Sequence, residues 1–167
     1  MFIALAVAAS ALSCNVEQAH YTLRTAPDIT ATFRALKPRA GSVGADDWPS
    51  HLALSIHLAK TNRTYWFLPE PDGTAHLQHF ASTTDVTAPD WKPPSSDGGP
   101  RPLGEIDYVA TDANYKVIDA VPRLGELAPA HVLFADLGEA LWYRTPWDRR
   151  DGAPKQFFDL AACKTDP

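Results

Sequence analysis

"HLALSIHLAK", residues 51 to 60, reads as a strand because of its period. Leu52, Leu54, Ile56 and Leu58 recur at every second position, separated by Ala53, Ser55 and His57. At 180° per residue these large aliphatics line one face; at the 100° of a helix they would scatter around the axis. "ITATFRALK", 29 to 37, alternates in the same way, with Ile29, Ala31, Phe33 and Ala35 set against Thr30, Thr32 and Arg34. Both are half-buried strands. Fifteen prolines in 167 residues point the same way, because each removes a backbone donor and breaks a long helix.

Turn residues organise the rest. "TNRT" reverses the chain into "YWFL" and "PEPDGT" reverses it again into "AHLQHFAS", so residues 51 to 82 form a three-stranded meander. A two-residue turn at Asn62 and Arg63 sets Trp66 opposite Ala59 and near His57, on the face away from the leucines. "EIDYVA" and "YKVIDAV" flank "TDAN" as a second hairpin, and "HVLFA", 131 to 135, is a further strand. "DLGEALWYR" suits either state: Asp136 and Glu139 form a helix-capping pattern, while "ALWYR" has strand composition. "PKQFFDLAAC" reads as a short closing helix that carries Cys163. Residues 85 to 104 have no period; five prolines stiffen this loop and Trp91 anchors it along the surface. The expected fold is all-β: a single-domain antiparallel β-sandwich or barrel of about seven or eight strands with little helix.

The first residues and the cysteines address compartment. "FIALAVAA" followed by "SALSC" matches the core and cleavage end of a secretory signal peptide over residues 1 to 13, leaving one β-rich domain over 14 to 167. No Lys or Arg precedes the apolar run, and the run is too short to span a bilayer. Cys14 and Cys163 then stand at the two ends of the mature domain, where an oxidising compartment would join them. The alternative is lipidation of Cys14, on an imperfect lipobox, "ALSC". A periplasmic or secreted location follows from the first reading, and the Ala, Pro and Arg bias looks bacterial.

A net charge of -5 leaves no footprint for nucleic acid, whose phosphates require clustered Lys and Arg. The densest basic cluster, Asp148-Arg149-Arg150-Asp151, reads as a solvated turn whose charges cancel. His76 and His79, three apart on a strand, point to opposite faces and so cannot grip one metal ion. Nothing in the chain calls for a cofactor. Gly41-Ser42-Val43-Gly44 lacks the spacing of a nucleophile elbow, and Asp46, Asp47, Glu70, Asp72, Asp85 and Asp90 are loop acids with no pairing legible in sequence. Asn62-Arg63-Thr64 is formally a glycosylation acceptor at a hairpin tip.

Aromatics carry the remaining signal. Trp48, Trp66, Trp91, Trp142 and Trp147 are many for this size, and on a β scaffold such rings serve either as core and anchors or as a platform for ligands. The expected role is a non-catalytic binding or envelope-structural module, with Trp66, His57 and Trp91 as binding residues. Its partner would be a carbohydrate, a small apolar ligand or an envelope protein. A hydrolase using His76, His79 and Asp85 is the alternative, and it requires those groups to share a pocket with Trp91.

Overall fold

The structure is a computed structural model that describes residues 12–36, 51–70, 78–91 and 100–164. Residues 1–11 of the expected signal peptide, residues 41–44, Asp46, Asp47, Trp48, Asp72, His76 and the centre of the proline-rich loop lie outside the described residues. Among the described residues the strands are β1 (Ala19–Leu23), β2 (Ala26–Ala35), β3 (Leu52–Leu58), β4 (Arg63–Glu70), β5 (Gln78–Thr83), β6 (Glu105–Thr111), β7 (Val117–Ile118), β8 (His131–Phe134) and β9 (Phe158–Cys163), with one helix, α1 (Leu137–Tyr143).

Every pairing is antiparallel. Strands β1 to β6 run side by side in chain order, β8 follows β6, and β9 joins β8 back to β1, so eight strands close into a barrel. The short β7 adds a hairpin arm to β6 outside the ring. The alternation read from the sequence decides which side chains enter. Ile29, Ala31 and Phe33 on β2 and Leu54, Ile56 and Leu58 on β3 are buried, while Thr30, Thr32, Ser55 and His57 between them face outward. An eight-stranded barrel is just wide enough for side chains to fill or for one small ligand. Here Phe80 stands among Phe33, Tyr108 and Phe134 at ring-centroid distances of 6.1, 4.9 and 5.8 Å, and Tyr21 and Phe158 extend the packed rings. The lumen is therefore core.

Four local expectations change. The closing segment is a strand: Phe158–Cys163 pairs with β1 and, through Phe158 and Asp159, with β8. Its alanines permit a helix, but a helix there would leave β1 and β8 unpaired at the seam, and tertiary pairing overrides local propensity. The β3–β4 turn has four residues, not two, because Leu58 pairs with Arg63; Asn62, at φ 52°, takes the left-handed position. Trp66 thus faces Ser55 rather than Ala59, and because the displacement is even, its side of the sheet is unchanged. The second strand of the later hairpin shrinks to Val117–Ile118. Strand β1, "AHYTL", was not anticipated, although Ala19, Tyr21 and Leu23 alternate inward as in its neighbours.

Cys14 and Cys163 are disulfide-bonded, with Cα atoms 5.9 Å apart and a sequence separation of 149. The bond lies beside the β1–β9 seam, where Ala19 is the register partner of Cys163. With its sulfur bonded to Cys163, Cys14 has no thiol to acylate. No helix among the described residues is long and apolar enough to cross a membrane.

Candidate ligand-binding cleft

One end of the barrel carries the β1–β2 and β3–β4 turns, residues 84–91 after β5, residues 100–104 before β6 and the long β8–β9 connection. That connection begins with α1, which buries Leu137, Ala140 and Leu141 and keeps Gly138 where a Cβ would collide with the Ala153 carbonyl. Asp136 precedes α1 without making a side-chain cap.

Beyond α1 the chain turns through Trp147–Arg149 and delivers Asp151 to the barrel rim, where it is only 5% exposed. Asp151 Oδ2 accepts hydrogen bonds from Tyr65 Oη at 2.6 Å, Arg63 Nη1 at 3.2 Å and Thr61 Oγ1 at 3.3 Å. Burial first, and then the Asp151 carboxylate, push the Tyr65 phenol up to about 12, so it stays protonated and donates. Arg63 Nη1 also donates to the Arg149 carbonyl at 2.7 Å, which ties the connection to β4. The acid of the presumed solvated turn is thus a buried anchor. A tetrapeptide of balanced charge gives no sign that one of its carboxylates meets a tyrosine 86 residues away.

Between this connection and the outer edge of β4–β5 lies a cleft of about 740 Å³. Trp66, from the outer face of β4, and Tyr65, its neighbour at the rim, both line it, and Leu103, Pro102 and Pro146 complete the apolar part. Thr64, Thr83, Thr84 and Thr145, together with Asp85, supply hydroxyl and carboxylate groups. Arg63, Arg144 and Arg149 also line it. Arg144 is fixed, donating to the Leu103 and Glu105 carbonyls at 2.6 and 3.0 Å.

The structure draws three of the sequence-derived residues together here. Trp66 lines the cleft directly, with Thr83 as its register partner on β5. His57 holds the Thr64 hydroxyl through Nδ1 at 3.1 Å, and Trp91 Nε1 donates to the Thr83 hydroxyl at 3.2 Å. His57 and Trp91 therefore brace the two threonines on either side of the Trp66 indole. Sequence reasoning missed Tyr65, Arg63, Arg144, Arg149 and Asp151, whose spacing along the chain bears no relation to their spacing in space.

The enzyme set is not assembled in the same way. His79 does not line the cleft; its Nδ1 pairs with Asp107 Oδ1 at 2.9 Å on the barrel wall. Asp85 does line it, but its Oδ1 is occupied by the Thr87 amide and hydroxyl at 2.8 and 2.6 Å, which locks a turn. Glu70 pairs with Arg101, which also holds Glu105. A second histidine–carboxylate pair, His131 with Asp159 at 2.7 Å, bridges β8 and β9. There the Arg24 guanidinium holds the Asp159 carboxyl below its usual range, and the Tyr115 ring stacks on His131. None of the four described tryptophans belongs to the core: Trp66 and Trp91 are half-buried, and Trp142 and Trp147 are exposed.

Replacing Asp151 by alanine is expected to lower stability by about 2 kcal/mol, because the Tyr65 hydroxyl loses its acceptor in a buried setting. Asp151→Asn keeps an acceptor and should lose about half as much. Urea denaturation of both variants measures the difference.

Compared with known proteins, the chain matches no protein-family model, no curated protein and no solved structure.

Proposed function

We propose that this chain is a small exported binding module, periplasmic or secreted, that holds a carbohydrate in the cleft beside Trp66 without catalysing a reaction on it. The observation that carries this reading is the composition of the cleft: an indole and a tyrosine among its lining, with four threonines, three arginines and an aspartate. A sugar ring presents an apolar face to stack and a rim of hydroxyls to bind, and this lining offers a partner for each. A purely apolar ligand would cover Arg149, whose side chain has no partner among the described residues, without offering it one. Export is supported by the apolar leader and by the disulfide, since such bonds persist in oxidising compartments.

The test is a saccharide array followed by titration calorimetry on the leader-free chain. Trp66→Ala should weaken binding of any saccharide found by about 30-fold, the loss typical of a central aromatic contact. His57→Ala and Trp91→Phe, which remove the hydrogen bonds to Thr64 and Thr83, should weaken it by about threefold. A Trp66→Ala variant that binds like the parent would remove the cleft from the function. Turnover of a bound saccharide would move the protein to the hydrolase alternative.

A further inference from the structure

The segment that walls the cleft on one side bears three large rings on its outer surface. Trp147 is 81% exposed, Tyr143 73% and Trp142 47%. All three fall within six residues of chain, and compact domains seldom leave such apolar area uncovered unless something binds there. Packing explains how they come to face outward: α1 spends Leu137, Ala140 and Leu141 on the core, which turns Trp142 and Tyr143 to the other side. The Arg150 guanidinium lies 5.6 Å from the centre of the Trp142 ring and holds the following turn against the helix.

This lip and the cleft share one segment of chain. Arg144, Thr145, Pro146 and Arg149 line the cleft, and Trp142, Tyr143 and Trp147 are interleaved with them in sequence. A ligand confined to the cleft would leave the lip bare. Charge adds a second constraint. On a chain of net charge -5, residues 142 to 150 carry three arginines against one aspartate. Two of the three cleft guanidinium groups are engaged, Arg63 with Asp151 and Arg144 with backbone carbonyls. Arg149 has no such partner among the described residues, while its own carbonyl is held by Arg63, so its backbone is fixed and its charge is available.

We infer that the ligand is an acidic polysaccharide chain: one sugar seats against Trp66, its acidic group pairs with Arg149, and the following sugars cross Trp147 and Trp142. This rests on the carbohydrate reading and narrows it from a sugar to a charged polymer. Guanidinium groups suit carboxylate and sulfate oxygens, and exposed indoles stack on successive sugar rings.

The experiment titrates the leader-free chain with uronic-acid-containing, sulfated and neutral oligosaccharides of one to six residues. Acidic oligosaccharides should bind at least tenfold more tightly at four residues than at one, and affinity should fall as salt rises from 50 to 500 mM. The double variant Trp142→Ala, Trp147→Ala should lose the gain with length while keeping the affinity for a single sugar. Arg149→Gln should lose the preference for acidic over neutral chains. Equal affinity for short and long oligosaccharides, or a preference for neutral ones, overturns the inference but leaves the carbohydrate reading standing. Absence of binding to every saccharide sinks both. Sedimentation with phosphatidylglycerol vesicles is run in parallel; binding lost in the double variant would assign the lip to a membrane surface and overturn the inference.

Discussion

Replacing Cys14 and Cys163 together by serine is expected to lower the free energy of unfolding by about 5 kcal/mol and Tm by roughly 10–20 °C. The bond joins residues separated by 149 positions, so in the unfolded chain it closes nearly the whole molecule into a loop. In the chain-entropy view, stabilisation grows with the logarithm of loop length, which places this bond near the top of the usual range. Its position adds a structural consequence. The β1–β9 ladder is the last seam of the barrel, and the disulfide pins one end of it, next to Ala19 and its partner Cys163. Three backbone contacts share that end: Lys164 N donates to Gln18 O, Ala128 N to Cys14 O and Val16 N to Glu126 O. Each is worth about 1 kcal/mol at most, so they do not replace the covalent link. Differential scanning calorimetry of the double variant, and of the parent in reducing agent, measures the loss. Unchanged melting in both would show that the ladder alone closes the barrel.

The second large effect is in the lumen. Phe80→Ala should cost about 3–5 kcal/mol, because it removes a ring that no solvent reaches and leaves a hole among neighbours that cannot collapse. Phe33, Tyr108 and Phe134 surround it from three other strands, each on a closed ring of hydrogen-bonded backbone. Phe80→Leu keeps much of the volume and should cost less than half as much. Guanidinium denaturation gives the free energies, and near-ultraviolet circular dichroism reports whether the remaining rings keep a fixed environment. A small cost for Phe80→Ala would mean that the lumen holds slack, and would reopen the barrel interior as a ligand site.

Much of this architecture was legible before any coordinates. The period of two in "HLALSIHLAK" and "ITATFRALK" marked β2 and β3 and named their large inward residues, because side-chain direction on a strand depends on parity, although Ala35 at the end of β2 is exposed and Ala53 on β3 is buried. The meander, the strand at 131 to 134 and the pairing of the only two cysteines followed from turn residues and cysteine count. Trp66 and His57 were placed on a common outer face even though the turn length was misjudged, since an even slip preserves the face. Two of the misreadings share a cause. "PKQFFDLAAC" and "AHYTL" are short, and each becomes a strand because the other lies beside it, at the point where the barrel closes. Local sequence carries no record of that meeting.

The cleft divides along the same line. Trp66 could be singled out by residue type, and the outward parity of β4 presents it to solvent whatever its partners are. That Thr64 and Thr83 flank it, that His57 and Trp91 hold those threonines, and that Arg63, Tyr65 and Asp151 meet at the rim depend on strand register and on the return of the β8–β9 connection. By itself the sequence determined the class of fold, the inward and outward faces of its long strands and the covalent link between its ends, because these rest on parity and on residue chemistry. Only the tertiary structure decided that the sheet closes, that its lumen is packed, and that an acid from a polar turn is buried against β4 to shape a cleft. Those outcomes depend on contacts between residues far apart in the chain, whose positions no local period records.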